Sequence, residues 1–158
     1  MNPPLQESEV PMLTLYTDGS CWPNPSANGG WSFVVYDQGE EIASQSGGAG
    51  EMTSNNRMEM TAVLRALEWL GDRSATVYSD SQYVVNGINS WVKGWERKDW
   101  MRMDRGRLVP VLNSDLWRAL ALARLPQHHI TWCRGHSGIT GNERADALAE
   151  AARTGVAI

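Results

Sequence analysis

Hydrophobic and polar positions alternate in three short runs in the first half of the chain. The runs are "MLTLYTD" (12–18), "GWSFVVYD" (30–37) and the weaker "EIASQSGG" (41–48). Alternation with β-branched and aromatic residues is typical of strands. The turn signal "QGE" separates the last two runs, so the pattern predicts three consecutive antiparallel strands.

The second half of the chain has helical spacing. The first predicted helix runs from a cap at Ser54 or Asn55 to Gly71, and a brief second helix covers 81–88. A third runs from a cap at Asn113 or Ser114 to Pro126, and the last covers 141–153. Two short strands, "ATVYSD" (75–80) and "HHITWC" (128–133), lie between these helices. Strands separated by helices join a sheet in parallel, which indicates an α/β fold.

The bulk composition fits one domain without a membrane span. The chain has 158 residues, 42% of them hydrophobic, and no stretch approaches the roughly 20 apolar residues of a transmembrane helix. Its two cysteines, Cys21 and Cys133, have neither disulfide-framework nor zinc spacing. Residues 1–11 lack the features of a targeting signal. We expect a flexible tail over 1–11, a domain over 12–153, a tail over 154–158 and a cytoplasmic location.

The net charge of −4 would ordinarily argue against a nucleic-acid partner. The charge is unevenly distributed, however. Residues 1–60 hold eight acidic residues against the single base Arg57, whereas 91–107 hold six bases against three acids. The second segment therefore has a local charge of +3 and is the better candidate for contact with phosphates.

Four carboxylates occupy positions where functional sites gather. Asp18 lies within or at the end of the first predicted strand, and Asp80 ends the fourth. Glu59 lies in the first turns of a helix, and Asp146 lies one turn into the last helix. Strand carboxyl ends and helix starts converge in α/β sheets. Each acid alone also has a purely structural interpretation, as a helix cap or a favourable charge at a helix start.

Four carboxylates in one pocket need neutralisation. Two carboxylates about 5 Å apart repel by about 3 kcal/mol at an effective dielectric near 20. Protons or cations must compensate, and a ligand set of oxygens alone selects hard ions: Mg²⁺, with Mn²⁺ as a substitute. Two such ions about 4 Å apart suit in-line displacement at phosphorus.

Four motifs, in their order and spacing, carry a family resemblance: "YTDGSCWPNP", "NNRMEM", "YSDSQYVVNGI" and "RGHSGITGNERADALA". From about Leu13 to Arg153 the chain resembles the type 1 ribonucleases H, which cut the RNA strand of RNA–DNA hybrids. "TDGS" alone also fits sugar kinases and actin-like ATPases, but those need two such domains and a longer chain. The resemblance implies a ribonuclease H-like fold: a five-stranded mixed sheet, three antiparallel strands then two parallel, flanked by helices.

The resemblance also implies the catalytic residues. The carboxylates that bind two metal ions would be Asp18, Glu59, Asp80 and Asp146, and Asp18 would bridge the ions. His136 lies in a loop with three glycines. Its ordinary pKa near 6.5 suits proton transfer, and we assign it to proton shuttling or product release. Asn142 and Glu143 are expected to support it.

The resemblance further implies contacts with the substrate. Polar groups that distinguish a ribose 2′-OH from deoxyribose are expected at Cys21, Asn24, Asn55, Asn56 and Gln82. The segment of about 91–107 resembles the family's basic protrusion, with expected contacts from Trp91, Lys93, Trp95, Arg97 and Lys98. The helical spacing of the two tryptophans more often indicates packing than base stacking.

The chain departs from the family pattern near one expected phosphate contact. Met52 occupies a position where relatives can carry a base that holds a DNA phosphate. Ser54 and Asn113 remain for that pocket. With three acids also diluting the protrusion, we expect weaker hybrid binding than a fully basic protrusion would give.

The sequence thus predicts a monomeric, metal-dependent endonuclease. It would hydrolyse the RNA strand of RNA–DNA hybrids, leave 5′-phosphate and 3′-hydroxyl ends, and need no membrane. One alternative is a non-catalytic hybrid-binding module, which would lack at least one of the four carboxylates. Another is an integrase or resolvase with the same fold, which would need a further DNA-binding domain.

Overall fold

The computed structural model describes residues 12–156. The predicted tail over 1–11 and the last two residues of the predicted C-terminal tail lie outside the described residues. Within the described range the strands are β1 (Leu13–Cys21), β2 (Gly29–Asp37), β3 (Glu40–Gly48), β4 (Ala75–Ser79), β5 (Met101–Asp104), β6 (Arg107–Pro110) and β7 (His128–Trp132).

A five-stranded mixed sheet forms the centre of this structure, in the order β3-β2-β1-β4-β7. Strands β1, β2 and β3 pair antiparallel, whereas β1 with β4 and β4 with β7 pair parallel. The predicted sheet of three antiparallel and two parallel strands is confirmed.

The helices are α1 (Asn55–Leu70), α2 (Gln82–Asn86), α3 (Val92–Arg97), α4 (Ser114–Ala123) and α5 (Thr140–Thr154), and a π-helical turn (Gly87–Trp91) joins α2 to α3. Helix α1 begins and ends as its sequence predicts. The Ser54 hydroxyl accepts a hydrogen bond from the Arg57 N–H at 3.2 Å, and Gly71 closes the helix with a positive φ of 60°.

The side chains of β2 show how the layers are arranged. Phe33 and Val35 belong to the apolar core with Val63 and Leu67 of α1. Ser32, which precedes Phe33, points the other way, where its hydroxyl donates to the main-chain oxygen of Ala145 in α5. Because successive side chains of a strand alternate between faces, α1 and α5 cover opposite faces of the sheet.

The protrusion of about 91–107 contains a hairpin that the sequence analysis did not identify. After α3, strands β5 and β6 pair antiparallel, with Met103 opposite Leu108. Arg105 and Gly106 form the turn with φ values of 51° and 79°. Positive φ at both central residues matches the twist of a hairpin. The segment is therefore a helix followed by a hairpin.

Candidate active site

Two neighbouring strands place the first two carboxylates side by side. In the parallel pair of β1 and β4, Thr17 lies opposite Ser79. An aspartate follows each of these residues: Asp18 follows Thr17, and Asp80 follows Ser79. Asp18 is only 4% exposed. The register of the sheet, and not a local motif alone, thus brings these acids together.

The third carboxylate comes from α1, which passes very close to β1. A Cβ on Gly19 would lie 2.2 Å from the main-chain nitrogen of Glu59, so only glycine fits between the strand and the helix. This contact places Glu59 beside Asp18. Carboxylate oxygens of Asp18, Glu59 and Asp80 all lie within 4.8 Å of one another.

Asp146 lines the same cleft from α5, outside this tight group of three. The hydrogen bond from Ser32 to Ala145 holds this part of α5 against β2. The cleft has a volume of about 430 Å³, and its other lining residues are Gly19, Ser20, Asn55, Asn56, Ser81 and His136. The structure therefore brings all four predicted carboxylates and His136 to one cavity.

Two of these carboxylates, Asp18 and Glu59, hold protons more tightly than ordinary acids. The pKa of Asp18 is raised to about 8 by burial, by the charge of Asp80 and by its hydrogen bond and charge interaction with Asp146, while a hydrogen bond with Glu59 lowers it. The pKa of Glu59 is also raised well above its usual value, by burial and then by the charges of Asp18 and Asp80. The charged cluster is thus costly without a cation.

The donor atoms fit a hard divalent ion. Oε2 of Glu59 is buried and has no hydrogen-bond partner among residues 12–156. It lies in a cluster of carboxylate oxygens from Asp18, Glu59 and Asp80. Such oxygens are the ligands that Mg²⁺ and Mn²⁺ prefer. A bound cation would satisfy Glu59 and relieve the repulsion at Asp18.

The loop of His136 is tied to the cluster through Asn142. The main-chain N–H of His136 donates to Oδ1 of the buried Asn142 at 3.4 Å, and Nδ2 of Asn142 donates to Oδ2 of Asp80 at 3.3 Å. A Cβ on Gly135 would lie 2.6 Å from the same Asp80 oxygen. Glu143, the other residue expected to support His136, is exposed.

Four of the five predicted 2′-OH contacts, Cys21, Asn24, Asn55 and Asn56, lie on two segments that are hydrogen-bonded together. The N–H of Cys21 donates to Oδ1 of Asn55 at 2.7 Å, and the Asn55 N–H donates to Oδ1 of Asn24 at 3.0 Å. Asn55 and Asn56 line the cleft. Gln82 is exposed at the first position of α2, next to the cleft residue Ser81.

The side chain of Cys21 does not line the cleft. Its thiol is buried and lies 3.2 Å from the main-chain oxygen of Pro23 and 3.8 Å from that of Thr53. The thiol therefore packs inside the loop and is turned away from a substrate in the cavity.

Ser54 and Asn113 are joined by Arg57, a residue that the sequence analysis did not assign to the site. The Arg57 guanidinium donates to Oδ1 of Asn113 at 3.2 Å and to both carboxylate oxygens of Asp115, at 3.0 and 2.8 Å. Nδ2 of Asn113 donates to the Tyr83 hydroxyl at 3.1 Å. The only signal in the sequence is that Arg57 is the single base in residues 1–60.

Trp91 and Trp95 pack against each other and against α4. Their ring centroids are 5.8 Å apart, and they lie 6.5 and 5.5 Å from that of Trp117. Trp91 and Trp95 also border a shallow cavity with Gly94 and Lys98. The two rings are thus part of a packed aromatic cluster, with one open side.

The predicted phosphate-binding cations are free to meet a ligand. Lys93, Arg97 and Lys98 are exposed, and none of them forms an ion pair within residues 12–156. One further site contact was not foreseen: the indole N–H of Trp132 donates to the main-chain oxygen of Asp80 at 3.2 Å.

Among the described helices, none combines the length and apolar character needed to cross a bilayer.

Comparison with known proteins points to one family. The family model described as RNase H matches residues 11–154. A protein named Ribonuclease H from Mycolicibacterium smegmatis is 47% identical over 146 residues, which cover 90% of this chain and 87% of the relative. One of the same name from a Cyanothece species is 45% identical over 144 residues, covering 89% and 88%.

Solved structures give the same fold. The crystal structure of LC9-RNase H1, described as a type 1 RNase H with the type 2 active-site motif, matches with a TM-score of 0.74 at 28% identity, covering 93% of this chain and 74% of that chain. LC11-RNase H1 in complex with an RNA/DNA hybrid matches with a TM-score of 0.64 at 23% identity, covering 90% and 97%.

Proposed function

The chain belongs to the RNase H family, as a type 1 ribonuclease H, and we propose that it hydrolyses the RNA strand of RNA–DNA hybrids by two-metal-ion catalysis. The products proposed are 5′-phosphate and 3′-hydroxyl ends. The observation that carries this proposal is the group of Asp18, Glu59 and Asp80 oxygens within 4.8 Å, in a cleft that Asp146 also lines.

The same observation supports the proposed cofactor, two Mg²⁺ ions with Mn²⁺ as a substitute. Asp18, Glu59, Asp80 and Asp146 would hold the ions, with Asp18 contacting both. When bound, divalent ions lower the pKa of a water and stabilise charge on the attacking and leaving oxygens of a phosphodiester. The orphaned Oε2 of Glu59 and the raised pKa of Asp18 support cation binding.

The remaining chemistry falls to His136. Its side chain lines the cleft, and its main chain is linked through Asn142 to Asp80. An imidazolium can donate a proton to the leaving 3′-oxygen, and the imidazole can take up a proton from water. We therefore propose that His136 serves in proton shuttling or in product release.

Hybrid selectivity is proposed to come from the minor groove, where the 2′-OH groups of the RNA strand are displayed. Asn55 and Asn56 line the cleft, and Asn24 is bonded to Asn55. A structural neighbour, LC11-RNase H1, is described in complex with an RNA/DNA hybrid. These observations support Asn24, Asn55, Asn56 and Gln82 as contacts for the RNA strand; at Cys21 any contact would involve the main chain.

The DNA strand is proposed to meet two polar regions outside the cleft. The first is the group of Ser54 and Asn113, held together by Arg57. The second is the protrusion with its exposed cations, Lys93, Arg97 and Lys98. Contacts with phosphates give affinity without sequence preference.

We propose the domain of residues 12–153 as the unit that carries this activity, as a monomer. The cytoplasm is proposed as its location, because Cys21 and Cys133 are free thiols, as in reducing compartments.

A cleavage assay tests the proposal directly. Labelled RNA–DNA hybrid, double-stranded RNA and double-stranded DNA are incubated separately with the protein and Mg²⁺. We expect cleavage of the RNA strand in the hybrid only, and end-labelling should identify 5′-phosphate and 3′-hydroxyl termini. Intact RNA at micromolar enzyme would instead favour the non-catalytic binding module. Retention of all four carboxylates in one cleft argues against that alternative.

A further inference from the structure

Trp22 is the most exposed tryptophan of the described chain. Its side chain is 69% exposed, compared with 41% for Trp132 and 39% for Trp91. Burial of an indole on a partner removes a large apolar area from water. A single exposed apolar residue would need no explanation, so the argument depends on how the backbone presents this one.

The backbone of Trp22 is fixed on both sides. Its N–H donates to the main-chain oxygen of Asn28 at 3.1 Å, and its oxygen accepts from Nδ2 of Asn28 at 2.7 Å. Pro23 follows directly and Pro25 follows after Asn24, and each proline ring restricts φ. The loop of residues 21–28 therefore displays the indole from an ordered main chain, which lowers the entropy cost of ordering it on a ligand.

The same loop is attached to the wall of the cleft. Ser26 and Thr53 exchange main-chain hydrogen bonds of 3.2 and 2.8 Å. Asn55, which lines the cleft, is hydrogen-bonded to Cys21 and Asn24, which lie on either side of Trp22 in the loop. The loop that carries the exposed indole thus adjoins the segment on which the proposed RNA contacts lie.

We propose that Trp22 is a substrate-binding residue that packs against the sugars of the RNA strand in the minor groove, next to the nucleotides in the cleft. The inference rests on the proposed function. A flat apolar ring tolerates any base sequence, because each nucleotide offers the same sugar surface and a π-face. Trp22 would therefore add affinity and duplex-length dependence without sequence preference.

Steady-state cleavage of hybrids by Trp22→Ala and Trp22→Phe tests this inference. We expect KM to rise about 5- to 20-fold for Trp22→Ala with kcat changed less than about twofold, since loss of a stacking aromatic weakens binding and leaves the chemistry intact. Trp22→Phe should keep most of the affinity. As the hybrid is shortened from either end, the wild type and Trp22→Ala should converge at the length that no longer reaches the loop.

Leu122→Ala is the matched control, because Leu122 is 86% exposed on α4. Equal KM values for the wild type and Trp22→Ala, or an equal rise in Leu122→Ala, would overturn the inference. Fluorescence anisotropy with labelled hybrid gives Kd independently of cleavage. Absence of cleavage by the wild type would reject the proposed function, whereas an unchanged Kd in Trp22→Ala would reject only the role of Trp22.

Discussion

The carboxylate cleft and the aromatic cluster of Tyr83, Trp91, Trp95 and Trp117 differ in what their side chains do for the fold. In the cleft, burial and like charges raise the pKa of Asp18 to about 8, so the ionised group works against folding. In the aromatic cluster, ring centroids lie 5.3 to 6.5 Å apart, and such packing stabilises the fold.

The difference separates stability from activity within one small domain. The cleft contains a buried carboxylate oxygen of Glu59 without a partner in the described residues. The aromatic cluster centres on Trp117, whose side chain is fully buried. Substitutions in the cleft should therefore remove activity with little loss of stability, and substitutions in the cluster should do the reverse.

The largest effect is expected for Asp18→Asn. Loss of a carboxylate at the centre of the metal site should lower single-turnover cleavage at least about 10⁴-fold, which corresponds to about 5.5 kcal/mol in the barrier. The thermal midpoint without metal should stay the same or rise, because one source of repulsion is gone. Asp72→Asn, on an exposed acid after α1, is the control. Cleavage near the wild-type rate would contradict the role of Asp18.

Trp117→Ala should give the converse result. Truncation of a fully buried tryptophan is expected to cost about 3 to 5 kcal/mol of unfolding free energy, measured by denaturant titration. The folded fraction should keep its kcat. Because Nε1 of Trp117 has no hydrogen-bond partner in the described chain, Trp117→Phe should cost less and remain measurable if Trp117→Ala does not fold. A loss of kcat in the folded protein with little loss of unfolding free energy would refute the separation of stability from activity.

The pH dependence of stability should also distinguish the two regions. The raised pKa of Asp18 means that the folded state favours the protonated acid. The stability associated with that proton is present below about pH 4 and is lost as pH rises through about 8. With a chelator present, the unfolding free energy of Asp18→Asn should therefore gain on the order of 5 kcal/mol on that of the wild type as pH rises between these values.

Denaturant titrations at several pH values measure this difference. Trp117→Phe is the control variant, and its unfolding free energy should change with pH as that of the wild type does. Added Mg²⁺ should reduce the gap between the wild type and Asp18→Asn. A gap that is independent of pH would show that Asp18 is ionised in the folded state without cost.

Local signals in the sequence explain why much of the fold could be predicted. The Ser54 cap and Gly71 bound α1, and Asp18 and Asp80 end strand patterns. Convergence of the acids followed from the rule that parallel strand ends meet at one edge. The β5–β6 hairpin is not predicted from the sequence. Its turn residues, Arg105 and Gly106, lie in a segment whose basic composition indicates contact with phosphates and gives no strand pattern.

The parts of the site that could not be predicted depend on tertiary packing. Arg57 and Asp115 are 58 residues apart in sequence, and their pairing requires α1 and α4 to meet. The approach of Asp146 to Asp18 depends on how α5 packs against the sheet. Likewise, no pattern of residue types shows that the thiol of Cys21 turns inward.

The smallest effect is expected in the protrusion, whose charges are exposed. Each cation that contacts a phosphate releases counterions, so Lys98→Gln should reduce the salt slope of log Kd by about 0.9 and weaken binding only a few-fold near 0.1 M salt. Glu96→Gln, which removes an acid from the same segment, should strengthen binding by a similar factor. Both should leave kcat unchanged.

Arg65→Gln on α1 is the control, because Arg65 is exposed and already paired with Glu68. Anisotropy titrations with labelled hybrid across a salt series measure all three variants. An unchanged slope for Lys98→Gln would mean that this side chain does not touch a phosphate. A fall in kcat would couple the protrusion to the cleft, in conflict with the separation of binding from chemistry. If Kd rises in Lys98→Gln and falls in Glu96→Gln while kcat stays constant, the acids of the protrusion affect only the affinity for the hybrid.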